Sequence, residues 1–185
     1  EGRPIAPAAW MLEQLFVDRD APGTLRSVSI TAPMSADVRT WRIGSADDRV
    51  TLESRQDHTT QTHLTASWGS PAPIDAPPTP RGENLDVDAL YAALASGGLT
   101  YGPTMRALRS VRADGDELWA ELAPSAPVRV QWIDPSVLDG AFQAIVAWLR
   151  NESPGQPFLG FAIGEVRLVR PLVGPCLAHL KLRRR

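Results

Sequence analysis

Asp139 and Gln143 lie one helical turn apart in the mostly apolar run 133–149, and no other pair in the chain is so clearly suited to acid–base chemistry. An ionised aspartate inside such a helix costs several kcal/mol unless it is paired or kept neutral. Gln143, at i+4, shares its face and can hydrogen-bond the carboxyl group, which would fix its rotamer. A held, partly desolvated carboxyl group has a raised pKa, which suits a general acid working near neutral pH. On spacing alone the simpler reading is an aspartate at a helix edge, facing water beside Gln143.

The elements that must position this pair can be read on either side of it. Asp134 is a good N-cap and Pro135 suits the first helical position, so the helix should start there and continue to Leu149. Ahead of it, Tyr101, Gly102 and Pro103 lead into a hairpin over 107–123 that turns at Asp114, Gly115 and Asp116. After it come a polar loop (151–156) and strands over 161–169 and 177–183. The N-terminal part predicts a helix over 7–17, with Ala8, Met11, Leu12, Leu15 and Phe16 on one face. Strands follow over 25–31, 38–43, 49–53 and 62–68, with 44–48 and 56–60 as polar turns. The stretch 70–81 holds five prolines and reads as a semi-rigid connector. A helix over 86–96 follows, stopped by Gly97 and Gly98.

The expected fold class is α+β, with two antiparallel sheets each wrapped around a helix. The expected division is 1–69, a connector over 70–84, and 85–185. Each half lacks strands that a complete sheet of this kind would have, so the natural domain is expected to run further at both ends.

Length and composition narrow the function classes. A chain of 185 residues with 43% hydrophobic and 22% charged residues describes an ordinary soluble protein, with one substantial core or two small ones. A formal charge of −2 with scattered arginines gives no reason to expect nucleic acid. The single Cys176 excludes an internal disulfide framework and suits a reducing cytoplasm. No apolar run approaches the roughly 20 residues that span a bilayer, so no membrane partner is expected. No signal peptide or initiator Met is visible and the N-terminus does not look native, so the chain is expected to be a piece of something larger. His58 and His63 fall on a turn and a strand, so a surface or sheet role outweighs metal binding. His179 is expected to face solvent, and core packing accounts best for the six tryptophans. Phosphate loops, serine nucleophile elbows and Cys-x-x-Cys pairs are absent.

Taken in order, four segments of the chain resemble the dehydratase domains of modular polyketide synthases, most of all those of assembly lines with free-standing acyltransferases. Gly2 to Pro7 fits the end of that family's His-x-x-x-Gly-x-x-x-x-Pro motif, followed by a matching helix from Ala8. Tyr101-Gly102-Pro103 matches its Tyr-Gly-Pro segment, and Leu138-Asp139 to Gln143 its Leu-Asp-x-x-x-Gln helix. Phe161-Ala162-Ile163-Gly164-Glu165-Val166-Arg167 matches its Phe-Ala-x-Gly-Glu-Val-Arg strand. The resemblance covers nearly the whole chain. It departs at Asp134, where the family carries a histidine: either one helix cap exchanged for another, or the mark of a domain diverged from dehydration. The motif histidine would stand four residues before Gly2, ahead of Glu1.

What the resemblance implies is specific. The fold would be a double hotdog. The reaction would be that of a hydro-lyase, removing water from a β-hydroxyacyl thioester to give an α,β-unsaturated one. The motif histidine would be the base, Asp139 the acid, and Gln143 the group that orients it. Backbone N–H groups around Gly2 and at the start of the helix from Pro7 would hold the thioester oxygen. Tyr101, Gly102 and Pro103 would line the substrate tunnel. No metal or redox cofactor is called for, because the substrate arrives on the phosphopantetheine of acyl carrier protein. That carrier, the other synthase domains and a second copy of the domain are the expected partners. Relatives of the same fold act as enoyl isomerases, pyran- or furan-forming cyclases, chain-branching domains or inactive scaffolds, and these remain the alternatives.

Overall fold

Short turns and alternating side chains dictate an order of elements that the structure, a computed structural model, describes for residues 4–56, 58–70, 76, 78–126, 130–152 and 162–181. The order is α1 (Ala8–Arg19), β1 (Gly23–Ile30), β2 (Trp41–Ala46), β3 (Arg49–Gln56), β4 (Thr59–Gly69), β5 (Glu83–Leu85), α2 (Val87–Ser96), a 3-10 turn (Pro103–Met105), β6 (Leu108–Asp114), β7 (Glu117–Leu122), α3 (Pro135–Glu152), β8 (Ala162–Leu168) and β9 (Cys176–Lys181). Two antiparallel sheets result, in the strand orders β2-β3-β4-β1-β8 and β5-β6-β7-β9. This is the α+β class expected.

The first compact unit holds α1, the five-stranded sheet and Gln131–Ile133. Met11, Leu12, Leu15 and Phe16 of α1 are buried, as are Leu25, Val28, Val50, Leu52, Leu64 and Ala66 of the sheet. Glu13, buried on the same helix, accepts hydrogen bonds from the backbone N–H groups of Gln131 (2.9 Å), Trp132 (3.3 Å) and Ile133. A carboxylate taking three amide donors is how a buried charge is tolerated.

Two sequence expectations change here. β2 extends through Gly44 to Ala46, because the two-residue turn at Asp47 and Asp48 suffices, with Asp47 at φ 55°. The stretch 44–48 is therefore mostly strand. The second change concerns chain division. β8, expected in the C-terminal half, pairs with β1, with Leu25 opposite Val166 and Arg26 opposite Glu165. An Arg26–Glu165 ion pair at 3.1 Å fits that register. The compact units therefore interleave along the chain and do not divide as 1–69 and 85–185. Of the proline-rich stretch, 71–75 and 77 lie outside the described residues.

The second unit holds α2, the turn, α3 and the four-stranded sheet. Asp86 caps α2 through Asp88 N–H (2.9 Å) and Ala89 N–H (3.2 Å). On α3, Val137, Ala141, Ala144 and Trp148 recur at helical spacing and enter one core with Leu90 and Leu94 of α2, Leu108 and Val111 of β6, and Leu118, Ala120 and Leu122 of β7. Gly140 lets α3 approach that sheet closely: a Cβ there would come within 2.9 Å of Leu122 Cδ2 and 3.1 Å of Ala107 Cβ. Gly140→Val is therefore expected to lower stability by about 1–3 kcal/mol through overpacking, despite valine's better helix propensity. Urea unfolding should show the loss as an earlier midpoint at unchanged slope.

Candidate active site

Asp134 fixes the start of α3 before any reactive side chain appears. Its carbonyl accepts from Val137 and Leu138 N–H, both at 3.1 Å, and its own N–H donates to the Leu172 carbonyl at 2.7 Å. Its carboxylate accepts from the Ser136 N–H (2.9 Å) and Oγ–H (2.7 Å). Asp134 is thus a satisfied helix cap, which is a sufficient role for the residue at that position.

One turn into the helix, Asp139 is only 7% exposed and Gln143 only 1%. The water-facing arrangement that spacing alone favours does not occur. Gln143 Nε2 donates to Asp139 Oδ2 at 2.7 Å and to the Met105 carbonyl at 3.0 Å. Gln143 Oε1 accepts from the Tyr91 hydroxyl at 3.0 Å, and the Tyr91 oxygen accepts from Leu108 N–H at 3.4 Å. The Tyr101 ring meets Tyr91 edge-on at 6.5 Å. Arg106 lies 5.0 Å above the Tyr91 ring and donates from Nε to the Tyr101 carbonyl at 3.1 Å.

Burial sets the electrostatics of this cluster. It pushes the Asp139 carboxyl above its ordinary range, and the Gln143 N–H pulls the other way without cancelling it. Burial also raises Tyr101, with the charge of Asp139 adding to the effect. Tyr91 is raised by burial against the opposing influence of Leu108 N–H, Arg106 and Arg109. The two tyrosines are held in their neutral forms, and the Asp139 carboxyl holds its proton more tightly than an exposed aspartate does. Oδ2 is engaged by the amide N–H, which leaves Oδ1 as the oxygen available to carry a proton when the carboxyl is protonated.

Of the residues singled out from the sequence, Asp139, Gln143 and Tyr101 come together in this unit. Gly102 and Pro103 are exposed and shape the 3-10 turn: Gly102 O takes Met105 N–H at 3.0 Å and Pro103 O takes Arg106 N–H at 3.3 Å. That turn brings the Met105 carbonyl to Gln143. Pro7 precedes α1 in the first unit and its carbonyl accepts from Trp10 and Met11 N–H. Gly2 lies outside the described residues. Tyr91, Arg106 and the Met105 carbonyl were not anticipated. The available signal was Tyr91 itself, on the buried face of α2 between Leu90 and Leu94, where a buried tyrosine hydroxyl needs a partner.

The remaining histidines sit apart from this cluster. His63, on β4, is buried and bonded to Ser54 Oγ (2.7 Å) and the Pro33 carbonyl (3.1 Å), a role within the sheet. His179 does not face solvent as expected: it stacks on Trp119 at 5.1 Å, because β9 packs beside β7 at this register. Among the described residues no group of three His, Cys, Asp or Glu is placed to hold a metal ion, and no helix is long and apolar enough to cross a membrane.

Comparison with known proteins by family, by sequence and by fold gives concordant matches. Residues 70–185 match the family described as the polyketide synthase dehydratase N-terminal domain. The spectinabilin polyketide synthase system protein NorA' of Streptomyces orinoci is 36% identical over 118 residues, which is 60% of this chain and 3% of that protein. Erythronolide synthase EryA2 of Saccharopolyspora erythraea is 29% identical over 164 residues, 85% of this chain and 5% of that one. The chain thus spans only a few per cent of the curated relatives it matches. Among solved structures, the dehydratase domain of RzxB from Pseudomonas fluorescens superposes with a TM-score of 0.80 at 22% identity, covering 96% of this chain and 74% of that chain.

The buried acid should leave a signature in stability. Its folded-state pKa lies above the ordinary 3.8, so between these values the folded state binds the extra proton and stability declines as pH rises. Asp139→Asn keeps the shape and removes the ionisation. The variant should therefore gain stability over the wild type as pH rises above the ordinary carboxylate range, with the smallest difference in acid. Urea unfolding at about pH 4 and about pH 8 checks this.

Proposed function

The chain belongs to the polyketide synthase dehydratase family, and from that membership we propose that it removes water from a β-hydroxyacyl thioester carried on acyl carrier protein, leaving an α,β-unsaturated acyl chain. The observation that carries the reading is Asp139: buried, its carboxyl pKa raised by that burial, and held at Oδ2 by Gln143. In the proposed step, a histidine supplied by the parent protein four residues before Gly2 would take the α-proton. The electron pair released there forms the Cα–Cβ double bond, and the β-carbon–oxygen bond breaks. Asp139 delivers its Oδ1 proton to the departing hydroxyl, which leaves as water. The acid must then recover a proton before the next turnover, which its raised pKa favours.

The double-hotdog fold of the family supplies the scaffold. Acyl carrier protein and neighbouring synthase domains are the proposed partners, within a homodimeric cytoplasmic assembly. The carrier's phosphopantetheine would present the substrate, so the reaction as proposed calls on no cofactor held by the domain itself.

The test uses the intact parent protein and mass spectrometry of the carrier-bound acyl group, following loss of one water. Asp139→Ala is expected to lower turnover by roughly a hundred- to ten-thousandfold, the range for removing a general acid. Asp139→Asn should be similarly impaired, because an amide has the shape but no transferable proton. Gln143→Ala should be milder, since it loosens the acid without deleting it. Full activity in Asp139→Asn would remove Asp139 from the mechanism and overturn the reading.

A further inference from the structure

Building on the assignment of Asp139 as the dehydratase acid, we propose that Tyr91 is a positioning residue that acts through Gln143 to hold Asp139 in its proton-delivering orientation. The chemistry of the four groups leaves one consistent arrangement. The Met105 carbonyl can only accept, so the amide nitrogen of Gln143 must face it, at 3.0 Å. The same nitrogen then supplies the donor to Asp139 Oδ2, and Oε1 is turned toward Tyr91. Tyr91 has to donate there. Its oxygen already accepts Leu108 N–H, which leaves the hydroxyl hydrogen for Gln143.

Burial makes this arrangement consequential. Tyr91 is 7% exposed and Gln143 1%, so a lost hydroxyl would leave Oε1 as a buried acceptor with no other described partner. The amide would then relax away from its present plane, and the hydrogen bond to Asp139 would weaken. Arg106 braces Tyr91 from the other side, over the ring face. The titratable and charged groups acting on the cluster are Tyr101 ahead of the turn, Arg106 after it, and Arg109 of β6. β7 meets α3 beside Asp139 through Leu122, and among the described residues β7 and β9 add no charged group to that set.

The direction of the effect follows. The Gln143 N–H favours the ionised form of Asp139 and so opposes burial; weakening it should raise the carboxyl pKa further while aiming the proton less well. Tyr91→Phe in the intact parent protein is therefore expected to lower kcat roughly tenfold with little change in KM, and to move the alkaline limb of the pH–kcat profile upward. A purely structural hydroxyl would lower activity without moving that limb. A second readout, carbon-13 NMR titration of the Asp139 carboxyl, needs no turnover, and the dispersion of the same spectra reports whether each variant is folded.

Tyr91→Phe and Gln143→Ala should both raise the Asp139 titration point, and the double variant should go no further than Gln143→Ala alone. If Gln143→Ala moves the titration and Tyr91→Phe does not, the positioning role is overturned. A parent protein that never dehydrates, yet shifts its Asp139 titration on Tyr91→Phe, supports the positioning role and overturns the dehydratase reading instead.

Discussion

An aspartate inside an apolar helix is costly unless the polar groups around it are paired, and the second unit is organised around that constraint. Gln143 is the hinge of the arrangement. Its amide has two donors and one carbonyl oxygen, and each is spent: one donor on Asp139, one on the Met105 carbonyl, the oxygen on Tyr91. A buried network that is fully paired specifies one geometry, while the same groups half-paired would cost more than an apolar core. Three separate segments converge to complete it: α2 through Tyr91, the 3-10 turn through Met105, and the start of β6 through Leu108 N–H. The elements are held in register by a polar pair that would otherwise be a liability.

Packing then sets how deep that pair sits. Gly140 follows Asp139 directly and has no Cβ, so α3 can settle against Leu122 and Ala107. A larger residue would lift the helix and with it the carboxyl group. Asp134 works one turn earlier by fixing where the helix begins, which sets the rotational phase of Asp139 and Gln143 relative to Val137, Ala141 and Ala144. Burial is what raises the Asp139 pKa, so the apolar stripe of the helix tunes the acid even though none of its members touches a proton.

Much of this was legible in the residues. The helix start at Asp134 and Pro135, the shared face of Asp139 and Gln143, and the hairpin turning at Gly115 all follow from local rules of capping, periodicity and turn chemistry. Three features were not legible, for a common reason. The seating of β8 on β1, the stacking of His179 on Trp119 and the Tyr91–Gln143 bond each join residues far apart in sequence. Alternation says that a segment is a strand and not which neighbour it pairs with. A buried tyrosine likewise signals that a partner exists without naming it.

The same distinction explains why the burial of Asp139 could not be settled from spacing. An i,i+4 Asp–Gln pair is compatible with a wet helix edge and with a dry interior, and the two differ by what lies opposite. Opposite this pair lie a carbonyl that can only accept and a phenol that can donate. A wet edge would not need either, since water supplies both donor and acceptor at little cost. Their presence at 3.0 Å from the two ends of one amide is therefore informative in itself. It means that the protein has substituted fixed dipoles for solvent around a carboxyl group. The missing solvent raises the carboxyl pKa, the Gln143 N–H opposes that rise, and the same N–H fixes which oxygen of Asp139 is engaged.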